Sequence, residues 1–219
     1  MPIDLVVFDL DGTLIDSALD LALSVNAVRD HAGMGPIDHP TIYSYVGNGA
    51  PRLIRLALGD DASQSLVDEC VEFFYIYYRD HMLDNTTLYP GVQEGLDAIR
   101  ANGKTMAVLT NKPVRFSETI VERIGLGEHF VRVYGGNSFD SKKPDPYGMN
   151  LLIEEAEASP ETTMMVGDSS VDVLTARNAG TPCCGVSYGL RPESFEAHPP
   201  DFLVDSLVEL AERMASEWL

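Results

Sequence analysis

The sequence predicts an α/β fold in which a doubly wound parallel sheet carries an inserted, smaller all-helical segment. Short apolar runs alternate with helical patterns from residue 89 onward, which is typical of a parallel sheet with helices on both faces. No strand pattern appears inside the stretch 16–85. The predicted domains are therefore an α/β core, formed by residues 1–15 and 86–219, and a helical domain formed by the inserted stretch.

The first predicted element is a buried strand, because an apolar run extends from Ile3 to Phe8. Helical patterns follow at 17–31, 41–45, 51–58 and 63–82, separated by glycine and proline. The last of these helices carries a dense set of aromatic residues, which we expect to form the core of a small helical bundle. They are Phe73, Phe74, Tyr75, Tyr77 and Tyr78.

Strands and helices then alternate to the end of the chain, with proline near several helix starts and glycine after several helix ends. The predicted strands are 105–109, 131–134, 163–166, 182–186 and an edge strand at 202–204. The predicted helices are 90–101, 113–124, 146–158, 170–179 and 206–218, and residues 135–146 and 187–200 are predicted loops.

The composition is strongly acidic, with 34 acidic and 15 basic residues and a net charge of −19. This charge argues against partners such as nucleic acid or an anionic membrane. An anionic substrate must therefore meet a local positive centre, because the overall field repels it. No signal peptide or membrane-spanning run is apparent, and three cysteines without zinc spacing predict reduced thiols in a cytoplasmic protein. A monomer and a homodimer both stay open.

Polar side chains follow four of the predicted strands, and Gly12 allows a sharp turn directly after the first. Because the carboxyl ends of parallel strands lie at one rim of a sheet, these groups are expected to converge on a ligand site. They are Asp9 and Asp11, Thr110 and Asn111, Lys142 and Lys143, and Asp168 and Asp172.

This set of groups fits phosphoryl transfer, which requires an in-line nucleophile, charge neutralisation, a metal and control of protons. A carboxylate can be the nucleophile and form an aspartyl-phosphate. Mg²⁺ prefers oxygen ligands, which Asp9, Asp168 and the backbone carbonyl of Asp11 could supply. The free Asp11 carboxyl could act as general acid and then as general base. The Thr110 hydroxyl could hold phosphate oxygens, and a lysine could neutralise charge.

Four segments resemble, in order and over nearly the whole chain, the four motifs of the haloacid dehalogenase superfamily of phosphatases. They are Asp9-Leu10-Asp11-Gly12-Thr13, Val108-Leu109-Thr110-Asn111, Lys143-Pro144-Asp145-Pro146 and Gly167-Asp168-Ser169-Ser170-Val171-Asp172. The resemblance implies a Rossmann-like core. It also implies that the helical insertion is a mobile cap, which closes over the site and selects the substrate.

The resemblance also implies roles for the motif residues. Asp9 would be the nucleophile, Asp11 the general acid and base, Thr110 a phosphate ligand and Lys143 the motif lysine, with the adjacent Lys142 as its competitor. The implied cofactor is Mg²⁺, bound by Asp9, Asp11 and Asp168, with Asp172 binding through water or orienting Lys143.

The cap sequence from Tyr45 to Gly49, followed by Arg52, is similar to that of phosphoglycolate phosphatases. The predicted function is therefore Mg²⁺-dependent hydrolysis of a small phosphorylated metabolite, 2-phosphoglycolate. Backbone N–H groups after Gly49 could bind an anion, and Arg52 could pair with the substrate carboxylate. The predicted substrate-binding residues are Gly12, Thr13, Asn48, Gly49, Arg52 and Asn111.

Other functions stay open on the same motifs. An inorganic pyrophosphatase or a broad sugar-phosphate phosphatase would share the chemistry and have a related cap. A phosphomutase similar to β-phosphoglucomutase would return the phosphoryl group to a sugar. A non-enzymatic phospho-accepting switch is less consistent with the sequence. In receivers of that kind the acidic pair precedes the acceptor aspartate, and no helical insertion follows the first strand.

Overall fold

The structure, a computed structural model, describes residues 3–217 and contains a central sheet flanked by helices on both faces. The strands are β1 (Leu5–Phe8), β2 (Ile15–Asp16), β3 (Thr87–Leu88), β4 (Thr105–Leu109), β5 (Arg132–Tyr134), β6 (Thr163–Gly167), β7 (Cys183–Val186) and β8 (Phe202–Val204). The helices are α1 (Ala18–His31), α2 (His39–Tyr45), α3 (Ala50–Leu58), α4 (Gln64–His81), α5 (Val92–Ala101), α6 (Val114–Arg123), α7 (Tyr147–Glu155), α8 (Ser170–Ala179) and α9 (Leu207–Glu217). Among these helices, none is both long enough and apolar enough to cross a membrane.

The main sheet has six parallel strands in the order β5-β4-β1-β6-β7-β8. Strand β1 lies in the middle, so that Phe8 pairs with Val108 of β4 on one side and with Val166 of β6 on the other. The first strand therefore ends between the ends of its two neighbours. This topology confirms the predicted doubly wound α/β fold.

The residues of β1 alternate between the two cores of the protein. Val6 and Phe8 pack into a cluster with helices α5, α6 and α9 and with the helices inserted after β2. Leu5 and Val7 face the opposite side and pack with α7 and α8. Successive side chains of a strand point to opposite faces. A continuous apolar run is therefore what a strand covered on both faces requires.

Helices α1–α4, here called the inserted helices, pack against one another and against one side of the core. Their aromatic residues contribute to this packing as predicted, because Phe74 and Tyr78 of α4 are buried and their rings stack at a centroid distance of 5.3 Å. Ile76 points the other way and is 58% exposed. Helix α4 therefore buries one face and leaves the other in solvent.

Several predicted boundaries were wrong. Strands β2 and β3 form an antiparallel ribbon that was not predicted, because two-residue strands have no detectable period. The helix predicted at 146–158 ends at Glu155, and the predicted loop 187–200 contains a short 3-10 helix, Pro192–Glu196. The final helix was predicted to end at Trp218, which lies outside the described residues.

Asp20 connects the two chain segments that join the inserted helices to the core. This carboxylate is buried near the start of α1 and accepts hydrogen bonds from residues just before β3. The donors are the backbone N–H and side-chain amide of Asn85 and the backbone N–H and hydroxyl of Thr86, at 2.8 to 3.0 Å. Asp20 therefore joins the segment that leaves the core at the start of α1 to the segment that returns to it before β3.

We predict that Asp20→Ala lowers the free energy of unfolding by about 2–4 kcal/mol, because it leaves several buried donors without an acceptor. Urea denaturation followed by circular dichroism measures this loss. Asp30→Ala makes the same chemical change at an exposed position of α1. Its effect should stay within about 0.5 kcal/mol. Equal losses in the two variants would show that the Asp20 contacts add no specific stability.

Candidate active site

Three neighbouring strand ends bring polar side chains together at the carboxyl rim of the sheet. Asp9 directly follows β1, Thr110 follows β4, and Asp168 follows β6. All three side chains are buried. The sheet order places β1 between β4 and β6, so the convergence predicted from parallel strand ends is present.

Asp9 is a buried carboxylate with two donors on one oxygen. Its Oδ1 accepts hydrogen bonds from Lys143 Nζ at 2.9 Å and from the backbone N–H of Leu10 at 2.7 Å. Burial raises the pKa of Asp9 to about 6, and the positive charge of Lys143 only partly opposes this effect. The carboxylate is therefore held in position, but its charge is incompletely balanced.

Lys143, rather than its neighbour Lys142, contacts Asp9. Its ammonium also donates to Asp172 Oδ1 at 2.7 Å, and the other Asp172 oxygen accepts from the backbone N–H and hydroxyl of Ser169 at 3.1 and 2.8 Å. Lys142 instead donates to the backbone carbonyl of Asn48 at 2.8 Å. With both oxygens occupied by protein donors, Asp172 is arranged to orient Lys143.

An aspartate cluster that could hold a divalent metal ion lies beside Lys143. Oxygens of Asp9, Asp168 and Asp172 all lie within 4.8 Å of one another. Burial, and then the charges of Asp172 and Asp9, raise the pKa of Asp168 well above its usual value. One ammonium cannot neutralise three buried carboxylates, so negative charge remains for a cation to balance. The carboxylates also supply the hard oxygen ligands that Mg²⁺ prefers.

Glycine backbone closes tightly around Asp168. A Cβ atom on Gly12 would lie 2.2 Å from Asp168 Oδ2, and one on Gly189 would lie 2.2 Å from Asp168 Cβ. The same Oδ2 accepts the backbone N–H groups of Leu190 at 2.7 Å and Arg191 at 3.2 Å. Residues 189–191 were not predicted as site residues, because the loop after β7 carries no motif that marks it.

Asp11 is contacted by two donors, Ser17 and Lys112, that were not predicted as site residues. The Ser17 hydroxyl donates to Asp11 Oδ1 at 2.5 Å, and Lys112 Nζ lies 2.8 Å from the same oxygen. Lys112 also donates to the hydroxyl of Tyr78 at 2.7 Å. Burial alone would lower the pKa of Lys112, but the charge of Asp11 and the hydrogen bonds with Asp11 and Tyr78 outweigh it and raise this pKa. The ammonium therefore stays protonated while buried.

Two buried polar oxygens at the rim have no hydrogen-bond partner within residues 3–217. They are Thr13 Oγ1 and Asn111 Oδ1. The hydroxyl of Thr110 accepts the backbone N–H of Lys112 at 3.3 Å. Buried polar atoms usually find a partner in protein, water or ligand. The unpaired oxygens are consistent with a polar ligand in this region.

Three consecutive backbone carbonyls of the inserted segment accept hydrogen bonds from core side chains. Arg191 Nη1 donates to the carbonyl of Val46 at 3.1 Å, Asn111 Nδ2 to that of Gly47 at 2.9 Å, and Lys142 Nζ to that of Asn48 at 2.8 Å. Asn111 Nδ2 also donates to the carbonyl of Lys143 at 3.0 Å. These contacts hold the residue 46–48 segment against the rim.

A cavity separates the inserted helices from the rim, and Asp9, Asp11, Thr110, Asn111 and Gly49 contribute to its lining. Arg52 does not. It is exposed and lines a separate groove that also contains Lys142. The predicted pairing of Arg52 with a substrate carboxylate therefore has no support from its position.

The raised pKa of Asp9 predicts a pH effect on stability in the metal-free protein. The folded pKa of about 6 exceeds the ordinary value of 3.8. The folded state therefore binds this proton more tightly, and the resulting stability is lost as the pH rises through 6. Asp9→Asn cannot ionise. Its melting temperature in EDTA should exceed that of the wild type by a margin that widens from about pH 5 to about pH 8. A margin that stays constant or shrinks would contradict the raised pKa assigned to Asp9.

Comparison with known proteins places this geometry in a family. The family model described as haloacid dehalogenase-like hydrolase matches residues 6–186. A phosphoglycolate phosphatase of Vibrio parahaemolyticus is 40% identical over 97% of this chain and 96% of its own length. One of Chromobacterium violaceum is 38% identical, with 95% of each chain covered.

A solved structure from Haemophilus somnus 129pt, described as a predicted phosphoglycolate phosphatase, superposes with a TM-score of 0.88. Its identity is 29%, with 96% of this chain and 97% of that chain covered. The resemblance and the enzyme class expected from the sequence are confirmed. The chain belongs to the haloacid dehalogenase-like hydrolase family.

Proposed function

We propose that this enzyme is a Mg²⁺-dependent phosphatase that hydrolyses 2-phosphoglycolate through an aspartyl-phosphate on Asp9. The observation that carries the proposal is the pairing of the buried Asp9 carboxylate with Lys143 at 2.9 Å, at the edge of a cavity that Asp11 also lines. The names of the whole-length relatives support the choice of substrate.

In the first step, the Asp9 carboxylate attacks phosphorus while the bond from phosphorus to the leaving oxygen breaks. The Asp11 carboxyl donates a proton to that oxygen. Lys143 balances charge on Asp9 and on the phosphoryl group. The Thr110 hydroxyl and the backbone N–H of Asn111 bind phosphoryl oxygens, because the Asn111 side-chain amide donates to the carbonyls of Gly47 and Lys143. Asp11 then takes a proton from water, which attacks phosphorus, releases phosphate and restores the Asp9 carboxylate.

The residues that would hold the metal are Asp9 and Asp168 through their carboxylates and Asp11 through its backbone carbonyl. Asp172 would act mainly on Lys143. Bound there, Mg²⁺ would neutralise charge on the oxygens of the transferring phosphoryl group. The excess of buried negative charge described above supports this assignment.

The inserted stretch 16–85 is proposed to act as a cap over the cavity, separate from the core formed by 1–15 and 86–219. The contacts of residues 46–48 with core side chains support a closed arrangement. A closed cap excludes bulk water during phosphoryl transfer. Three free cysteines, all buried, support the proposed cytoplasmic location.

Phosphate release tests the proposed reaction. We expect 2-phosphoglycolate to be hydrolysed faster than ethyl phosphate, sugar phosphates and pyrophosphate when Mg²⁺ is present, and activity to be lost in EDTA. Asp9→Asn removes the nucleophile and should lower kcat by at least about 10⁴-fold. Broad turnover of the panel would contradict the substrate. Activation by a sugar bisphosphate would instead indicate a phosphomutase.

Thermal unfolding tests the metal site without relying on turnover. Millimolar Mg²⁺ should raise the melting temperature of the wild type by about 2–6 °C. Asp168→Asn removes a proposed ligand and should abolish most of this shift. Asp140→Asn is the matched control, because Asp140 is exposed and lies outside the aspartate cluster. A full shift in the Asp168 variant would place the metal elsewhere.

A further inference from the structure

The proposed substrate carries two anionic groups, and the structure restricts which cations can meet the second one. Lys143 lies between Asp9 and Asp172 and meets the phosphoryl group in the proposed mechanism, so it is not available for the second anion. Lys142 binds the carbonyl of Asn48 and lines the groove shared with Arg52. Among the described residues that line the cavity, Lys112 is the one basic side chain.

The ammonium of Lys112 lies next to the position that the carboxylate of a bound substrate would take. Its Nζ is 2.8 Å from Asp11 Oδ1, and Asp11 serves the leaving oxygen in the proposed mechanism. In 2-phosphoglycolate the carboxylate carbon is two bonds from that oxygen. A substrate whose leaving oxygen contacts Asp11 therefore presents its carboxylate within reach of Lys112.

Lys112 can donate a hydrogen bond to a substrate oxygen without losing its fixed position. Its contacts go to two groups, the Asp11 carboxylate and the Tyr78 hydroxyl. The contact with Asp11 Oδ2 is the longest of them, at 3.1 Å, compared with 2.8 Å to Oδ1 and 2.7 Å to Tyr78. Exchanging that contact for a carboxylate oxygen keeps the two shorter ones.

The cavity wall near Lys112 is largely apolar, with Leu21, Leu53, Phe74 and Phe116 among its members. Such a wall offers a carboxylate no alternative donor from these side chains. It also strengthens a charge pair, because water screens the charges less. A neutral substrate tail would gain no comparable contact from the ammonium.

We propose that Lys112 determines substrate specificity by binding the carboxylate of 2-phosphoglycolate, and that Tyr78 is the positioning residue for its ammonium. This inference rests on the proposed function. Tyr78 belongs to α4, whereas Lys112 follows β4 of the core. The carboxylate subsite is therefore complete only when the inserted helices are docked on the core.

The test compares kcat/KM for 2-phosphoglycolate with kcat/KM for ethyl phosphate, which has the same ester oxygen but no carboxylate. If ethyl phosphate turns over too slowly, its inhibition constant as a competitive inhibitor replaces its kcat/KM in the comparison. Lys112→Met should lower the ratio about 10- to 100-fold, since the change removes a charge-assisted contact. Lys112→Arg should retain more of the ratio than Lys112→Met. Tyr78→Phe should lower the ratio by a smaller factor, about threefold to tenfold.

Lys104→Met is the matched control, because it removes the same charge at a residue outside the cavity lining. It should leave the ratio unchanged. An equal loss for both compounds in Lys112→Met would overturn the inference, because Lys112 would then act on Asp11 alone. A ratio that falls in Arg52→Met but not in Lys112→Met would assign the carboxylate to Arg52 instead. If Lys112→Met does not fold, the ratios of Lys112→Arg and Tyr78→Phe decide.

The outcome for the wild type separates this inference from the proposed function. A wild type without preference for 2-phosphoglycolate contradicts the proposed function, and the inference falls with it. A wild type that prefers 2-phosphoglycolate, with a Lys112→Met variant that keeps the preference, contradicts the inference alone.

Discussion

The site depends on one ammonium group that bridges two buried carboxylates. Lys143 lies 2.9 Å from Asp9 and 2.7 Å from Asp172, and Asp168 adds a third acidic group beside them. The protein keeps these like charges together with tight glycine packing and backbone N–H donors. Burial and mutual repulsion nevertheless raise the pKa of Asp168. Ligand binding and fold stability are therefore linked at this site, since a cation that enters it relieves the repulsion.

The distribution of basic residues explains how a protein with a net charge of −19 can receive an anion. The sequence has four lysines. Lys112 follows β4, and Lys142 and Lys143 lie in the loop after β5, so three of the four belong to segments that follow strand ends at the rim. Distant surface carboxylates are screened by salt over about 10 Å. A buried ammonium is screened far less. The distant surface charges therefore matter little at the rim. There the ligand meets the local ammonium groups, and the metal ion of the proposed function would offset the excess of buried carboxylates.

The sequence predicted the sheet and the rim but not the contacts between the inserted helices and the core. Apolar runs bounded by glycine and proline mark each strand, and motif residues such as Asp9 and Asp168 directly follow those strands. The contact of Tyr78 with Lys112 joins residues that are 34 positions apart. It depends on how α4 docks, which no local pattern encodes. The contact of Arg191 with Val46 could not be predicted for the same reason.

The docking of residues 46–48 uses backbone carbonyls on one side and core side chains on the other. Every amino acid supplies a carbonyl, so Val46 and Asn48 can change without removing an acceptor, whereas the φ of 113° at Gly47 favours glycine. The donors Arg191, Asn111 and Lys142 have no such freedom. The side chains beside these carbonyls can therefore vary while the same docked geometry is inherited. Related enzymes could in this way diverge in substrate range before they diverge in architecture.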